Sequence, residues 1–385
     1  MSSPYRIPFN KPGLTGQEWR YVSQTIADGH ISGDGAFTRK CHAFLERHFG
    51  ARKALLTTSC THALEMSALL LGIQKDDEVI FPPFTFVSTV NAFVLRGARP
   101  VFADIRPDTL NLNENLIEAA ITPRTRAIVP VHYAGVGCEM DRILEIAGRH
   151  GLAIVEDNAH GLFAKYRGRP LGVFGALAAQ SFHETKNVTC GEGGALIVND
   201  ERYAERAEII REKGTNRSRF LRGEVDKYSW IGIGSSYLPS DLLAAFLFAQ
   251  LEAWERIQAQ RRRIWERYSE GLREWAGRFG AGTPYVPPHC EQPYHMFYLR
   301  LPSLDVRQAL IQHLKSNGIL SVSHYLPLHL SDMGLRFGGR PGDCPVCENV
   351  ADRLLRLPFY NDLQEDEQHS VIETVKSFTP ARSAE

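Results

Sequence analysis

From about residue 50 the chain alternates short apolar, β-branched runs with stretches of helical periodicity. ALLTTS (54–59) precedes THALEMSALLLG, EVIFPPF (78–84) precedes VSTVNAFVLRG, and RPVFADI (99–105) precedes NENLIEAAI. RAIVPVHYAG (126–135) then precedes EMDRILEIAGRHG, and LAIVEDNAH (152–160) closes the series. Strands spaced by helices in this way predict βαβ units and a mostly parallel sheet. After residue 177 the helices pause. LAAQSFH and GALIVND read as two strands close in sequence, with Lys186 between them.

A long helix is predicted next, over LEAWERIQAQRRRIWERYSEGLREW. Its apolar residues Leu251, Trp254, Ile257, Ile264, Tyr268, Leu272 and Trp275 fall near one stripe. Its length suggests a connector between a large α/β domain, residues 1–250 with an N-terminal arm, and a smaller C-terminal α+β domain, residues 251–385. A chain of 385 residues agrees with two domains at ~150 residues each. There are no internal repeats and no low-complexity tracts.

Lys plus Arg and Asp plus Glu are both 44, so the net charge is zero. A general nucleic-acid surface would show a basic excess, so none is expected, whereas a local cationic pocket for a small anion remains open. The run LLAAFLFAQL from Leu242 is about half the ~20 residues that a membrane span needs, and the N-terminus has no apolar core of a signal peptide. Seven scattered cysteines suit a reduced, cytoplasmic setting. Cys344 and Cys347 form a CxxC, and His324 and His329 lie five apart in HYLPLH. Neither pair has the further ligands that a metal site needs, so no metal is expected and the CxxC reads as a loop with free thiols.

Three stretches carry candidate chemistry. Thr57, Thr58, Ser59 and Thr61 lie at a strand-to-helix junction, where free N–H groups and small hydroxyls make either a helix cap or a phosphate cup. Glu156 and Asp157 end a buried strand, where an acid is either a cap or a ligand group in an open α/β sheet. Lys186 sits in a later strand–turn–strand, followed by GEGG. Together, and in this order, these are the groups that pyridoxal 5′-phosphate (PLP) requires: an amine to carry it, a carboxylate to keep its ring nitrogen protonated, and an anchor for its phosphate. PPFTFVST offers Phe84 and Phe86 as aromatic neighbours.

The stretches EDNAH, SFHETKN with GEGG, KGTNR, SSYLPSD and HYLPLH, in this order, resemble the nucleotide-sugar aminotransferases of the DegT/StrS type. The resemblance runs from IPFNKPGL to LRLPFYNDL and implies a fold-type-I PLP aminotransferase acting as a homodimer, its active site near the subunit interface. By that resemblance Lys186 carries the cofactor, Asp157 meets the pyridine nitrogen, and His160 stands near the ring hydroxyl. Cys60, Thr61 and Ser181 hold the phosphate, and Phe86 stacks on the ring. Ser236 stands where many members have an asparagine supplied by the partner subunit. His329 is implied near the sugar. In REKGTNRSRFLR, one or more of Lys213, Arg217, Arg219 and Arg222 would meet the sugar nucleotide's diphosphate, unless the stretch is a solvated loop.

Within the family the chain is similar to the branch of enterobacterial common antigen synthesis. That implies L-glutamate as donor and dTDP-4-oxo-6-deoxy-D-glucose as acceptor, giving dTDP-4-amino-4,6-dideoxy-D-galactose. Amination to the gluco epimer, or at C3, are the alternatives among transaminases. A sugar dehydratase would replace the lysine by histidine, and a non-catalytic regulatory member would not need lysine, acid and phosphate cup together.

Overall fold

The computed structural model describes residues 5–380. Its centre is a seven-stranded sheet of β1 (Lys53–Thr57), β2 (Glu78–Phe81), β3 (Arg99–Phe102), β4 (Thr125–Ile128), β5 (Ala153–Asp157), β8 (Leu177–Ser181) and β9 (Gly194–Val198). Two short strands, β6 (Lys165–Tyr166) and β7 (Arg169–Pro170), form a small outer sheet with β10 (Cys290–Glu291). β11 (Tyr298–Arg300) and β12 (Leu354–Arg356) pair antiparallel in the C-terminal part.

The central order is β1-β9-β8-β5-β4-β2-β3. β8, β5, β4, β2 and β3 run parallel, as the intervening helices require, while β9 is antiparallel to both its neighbours. The segment between β8 and β9 has no crossover helix, so the chain can only turn back on itself. One result matters for the site. The C-terminal ends of β1, β2, β4, β5 and β8 and the start of β9 share one edge of the sheet.

Both faces of the sheet are covered. Leu55, Val79, Val155, Ala179 and Leu196 join one apolar core, whereas their neighbours Leu56, Ile80, Ile154, Ala178 and Ile197 join cores on the other face. This is the period-2 alternation of strands buried on both sides.

The long helix predicted from Leu251 is two helices, Asp241–Glu252 and Trp254–Phe279, because Ala253 leaves helical geometry (φ −95°, ψ 11°). The second helix passes from one core to another. Ile257 packs with the sheet, while Ile264, Tyr268, Leu272 and Trp275 pack in a C-terminal core with Phe297, Leu310 and Val371. Ile7 of the N-terminal arm belongs to that C-terminal core, tied by backbone hydrogen bonds to Gly318 and Leu320 at 3.0 Å each. The CxxC is not a loop. Cys344 precedes the helix Pro345–Arg353, whose Val346 and Cys347 amides donate to Asp104 at 2.8 and 2.9 Å. No described helix is long and apolar enough to cross a membrane.

Candidate active site

A cavity of about 590 Å³ opens at the edge where the strand ends gather. One wall comes from the sheet. Ser59 caps the helix Cys60–Leu70 by accepting from the His62 amide at 3.1 Å. The Cys60 and Thr61 amides, which precede the first intrahelical bonds, have no acceptor among the described residues and face the cavity. Thr61 Oγ1 donates to Ser88 Oγ at 2.8 Å. Gly194, at the start of β9, lies against this turn so closely that a Cβ would come within 2.3 Å of the Ser59 carbonyl carbon. Only glycine lets the strand approach there. Ser181, at the end of β8, completes a polar cup around an N-terminal helix dipole, suited to a phosphate.

Asp157 ends β5 and is buried. Its Oδ2 accepts from Thr89 Oγ1 at 2.6 Å, and its Oδ1 accepts from the Ala159 amide at 3.1 Å. Since Thr89 donates to the acid, Thr85 must donate to Thr89, at 2.7 Å. This hydroxyl chain orients the carboxylate toward the cavity. Thr85 and Thr89 are one helical turn apart, which is the only trace they leave in the sequence.

Lys186 enters from the β8–β9 connection. Its amine has no hydrogen-bond partner among the described residues. Burial pushes it down to about 8; Cys60 and Asp157 oppose that fall and Arg356 adds to it. A substantial neutral fraction near pH 8 suits a nucleophile toward an aldehyde.

The opposite wall is made of aromatic and imidazole rings. His160 stacks on His295 with centroids 4.3 Å apart, and on His324 at 6.3 Å. The His160 Nδ1 accepts from the Ala134 amide at 3.3 Å, so the neutral ring carries its proton on Nε2. His295 Nδ1 donates to Asn187 Oδ1 at 2.8 Å. His324 Nδ1 meets the Tyr133 hydroxyl at 2.6 Å, and its ring stacks on Tyr325 at 3.7 Å. Burial, reinforced by Lys186 and Arg356, pushes all three histidines well below the usual imidazole range, so they are neutral at pH 7. At the mouth, Phe86 is exposed, with its ring 6.4 Å from Tyr325. Phe84 is buried beneath, against Tyr133 at 5.1 Å, and does not line the cavity.

Of the residues singled out in the sequence, Cys60, Thr61, Phe86, Asp157, His160, Ser181 and Lys186 line this one cavity. Three do not. His329 is buried, bonded through Nε2 to Glu348 at 2.9 Å and packed beside Phe102, so the expectation that it reaches the sugar is not met within this chain. Ser236 is exposed and bridges in β fashion to Glu212. Arg217 pairs with Glu212 at 3.4 Å, as does Lys213 at 3.1 Å. Arg219 pairs with Glu205 and Glu224, and Arg222 with Glu208 and Glu224. The cationic loop is thus neutralised by its own neighbours. The cavity also gathers Thr85, Ser88, Thr89, His295, His324, Tyr325 and Arg356, none of them a candidate by sequence motif except His324 within HYLPLH.

The cavity fits a phosphorylated pyridine aldehyde. An unpartnered amine, a carboxylate with a fixed orientation and a cup of free amides are present in one space, and the glycine at the cup leaves room that a side chain would fill.

Comparison with known proteins agrees with this fit. The model of the DegT/DnrJ/EryC1/StrS aminotransferase family matches residues 13–376. The spore coat polysaccharide biosynthesis protein SpsC of Bacillus subtilis (strain 168) is 34% identical over 379 residues, 96% of each chain. Among solved structures, the aminotransferase TlmJ from Streptoalloteichus hindustanus is 30% identical, covers 96% of this chain and 98% of its own, and superposes with a TM-score of 0.88. Spr1654 from Streptococcus pneumoniae, in its PMP-form, is 28% identical, covers 97% and 98%, and gives 0.90.

Proposed function

This chain belongs to the DegT/DnrJ/EryC1/StrS aminotransferase family, and from that premise we propose that it moves an amino group from L-glutamate to C4 of dTDP-4-oxo-6-deoxy-D-glucose. It is a PLP-dependent sugar aminotransferase with the fold-type-I α/β architecture. The finer proposal names dTDP-4-amino-4,6-dideoxy-D-galactose and 2-oxoglutarate as products. The observation that carries the transaminase reading is the Lys186 amine, unpartnered and held at about 8, in one cavity with Asp157 and the free amides of Cys60 and Thr61. The substrate rests on the similarity of stretches such as VPVHYAGVGCEMD and GSSYLPSD to the common-antigen branch of the family.

PLP, when bound, supplies the electron sink that lets a proton leave the carbon bearing the transferred nitrogen. Lys186 holds the cofactor and moves protons, taking one from the donor's α-carbon and, in the second half, delivering one to C4 of the sugar. Asp157 keeps the pyridine nitrogen protonated, with Thr89 and Thr85 fixing its orientation. His160, with its proton on Nε2, would donate to the ring hydroxyl. Cys60, Thr61 and Ser181 would hold the phosphate, and Phe86 would pack against the ring. Stacked neutral histidines exclude water from the far wall without adding charge.

The proposal includes a homodimer. Trp230 (82% exposed) and Ile233 (70% exposed) lie on the segment that carries Ser236, away from this chain's own cavity, and Phe86 and Leu326 are exposed as well. A second copy covering them would bring the segment 228–236, and with it Arg217, to the mouth of the neighbouring cavity. The reaction class is tested by incubating the enzyme with L-glutamate and a panel of dTDP- and UDP-keto sugars and identifying products by NMR. A small H3–H4 coupling is expected for the galacto product. A large coupling overturns the stereochemistry, and an amine at C3 overturns the regiochemistry.

A further inference from the structure

The consecutive carbonyls of Pro293, Tyr294 and His295 are each taken by a side chain from elsewhere in the fold. Asn187 Nδ2 donates to Pro293 at 2.6 Å, Arg261 Nε to Tyr294 at 2.9 Å and Arg261 Nη2 to His295 at 2.5 Å. This turn needs holding. Tyr294 sits at φ 53°, in the left-handed region that residues with a Cβ seldom adopt. Strained backbone of that kind persists only where its surroundings over-determine it. What the turn delivers is the His295 ring to the cavity.

The same guanidinium reaches the lysine by a second route. Arg261 Nη1 donates to Asn361 Oδ1 at 2.7 Å. Asn361 Nδ2 donates at 3.3 Å to the carbonyl of Asn187, the residue after Lys186. The Asn187 side chain closes the circuit, since its Oδ1 accepts from His295 Nδ1 at 2.8 Å. Gln258, on the helix Trp254–Phe279 with Arg261, accepts from Asn187 Nδ2 at 3.3 Å. Arg261 is buried, with Cζ 4.7 Å from the centroid of Phe359, and no carboxylate pairs with it among the described residues. Burial, with Arg356 adding, pushes it down to about 9. A buried cation without an anion costs stability that a packed apolar side chain would not. What no apolar or shorter side chain reproduces is a planar fork with donors aimed at Tyr294, His295 and Asn361 at once.

We propose that Arg261 is a positioning residue of the aminotransferase, orienting Lys186 and His295 together. It fixes the turn of His295 directly and the backbone beside Lys186 through Asn361. It does not line the cavity, so it acts through these groups and not on substrate or cofactor. The inference rests on the PLP aminotransferase reading and adds the element that couples the long helix to the lysine. An amine that must exchange protons with a carbon held on the cofactor depends on placement, and an error of ~1 Å from a distant substitution can cost ~100-fold in rate.

The test compares reconstituted full-length wild type with R261Q, R261K, N361A and R261Q/N361A, and uses Y268F as a control for stability alone. Tyr268 is buried on the same helix and donates to the Pro358 carbonyl at 2.9 Å. Two readouts are taken: the visible circular dichroism per bound PLP, and the rate of the cofactor's absorbance change at saturating L-glutamate. At wild-type cofactor content, R261Q is expected to show at least about twofold weaker dichroism and an about 10- to 100-fold lower rate, with the half-saturating L-glutamate within about threefold. R261K keeps the charge but not the fork, and is expected to match R261Q. N361A breaks one of the two routes and is expected to slow the rate about three- to tenfold, with R261Q/N361A within about twofold of R261Q. Y268F is expected to melt lower with wild-type dichroism and rate. An R261Q that melts lower yet keeps wild-type dichroism and rate overturns the proposal. So does an R261K that restores the rate, or losses in R261Q and N361A that multiply. If R261Q does not fold, N361A decides alone: weaker dichroism with a slower rate supports the proposal, and wild-type values of both overturn it. A wild type that takes up no PLP overturns the aminotransferase reading, and this proposal with it.

Discussion

The two walls of the cavity are built on opposite terms. On the sheet wall the polar side chains answer one another: Thr85 to Thr89, Thr89 to Asp157, Thr61 to Ser88, with Ser59 capping the helix. On the ring wall the imidazoles are stacked and neutral, each bonded to Ala134, Asn187 or Tyr133, and the one full charge, Arg356, lies over the Phe9 ring with no ion pair among the described residues. A wall whose hydrogen bonds are internally fixed suits a cofactor that stays through the cycle. A wall of neutral stacked rings suits substrates that take turns and leave.

That contrast can be broken from the sheet side first. Lys186→Ala removes the proposed attachment point and proton carrier, and turnover is expected to fall by at least about 100- to 10,000-fold. Pyridoxamine phosphate is expected to stay bound, because the phosphate cup is a separate structure. Borohydride reduction followed by peptide mapping checks the attachment, and cofactor on any other lysine would refute the assignment. Asp157→Asn keeps the shape and removes the charge proposed to meet the pyridine nitrogen, and kcat is expected to fall about 100- to 1,000-fold with little change in melting temperature. Near-normal turnover would make Asp157 a helix cap.

The amine itself gives a milder test. Below pH 8 the Lys186 amine is increasingly protonated and loses its nucleophilic lone pair. Uptake of PLP by the apoenzyme is expected to slow about tenfold per pH unit below about 8 and to level off above it. A profile that keeps climbing to pH 10 would mean the cavity leaves the amine at its ordinary value. Thr89→Val deletes one hydrogen bond to Asp157, and kcat is expected to fall about three- to tenfold with both KM values unchanged. Restoration by Thr89→Ser distinguishes the lost hydroxyl from disturbed packing.

The smallest catalytic effect belongs outside the cavity. His329→Ala leaves Glu348 without its imidazole partner and opens a hole beside Phe102. It is expected to cost about 1–3 kcal/mol of stability, read by denaturant unfolding, with kcat within about twofold of wild type. A large loss of kcat at unchanged stability would return His329 to the substrate.

The sheet wall was legible in the sequence because its residues are local to strand ends. In ALLTTS, AIVEDNAH and LAAQSFH the apolar run marks the strand, and the next polar residues must emerge at its C-terminal edge, where open α/β sheets bind ligands. Local periodicity thus predicted the mostly parallel sheet and put Thr61 at a strand-to-helix junction, Asp157 at a strand end and Lys186 between two strands, whereas Ser181 came from the family resemblance. The ring wall is assembled from residues 160, 295, 324 and 356, which no local pattern connects, and Arg356 looks in sequence like any arginine on a strand. Whether a cation is paired depends on what the rest of the chain folds beside it. The dense cluster Lys213–Arg222 reads in sequence as either a diphosphate site or a solvated loop, and within this chain it is paired with Glu205, Glu208, Glu212 and Glu224, while Arg356 has no ion pair among the described residues. The sequence by itself determined the elements and the chemistry at their ends, because those follow from short-range periodicity. Only the tertiary structure decided which charges are cancelled, which histidines are kept neutral and which side chains meet across the cavity, because desolvation and Coulomb energy depend on distances between segments far apart in the chain.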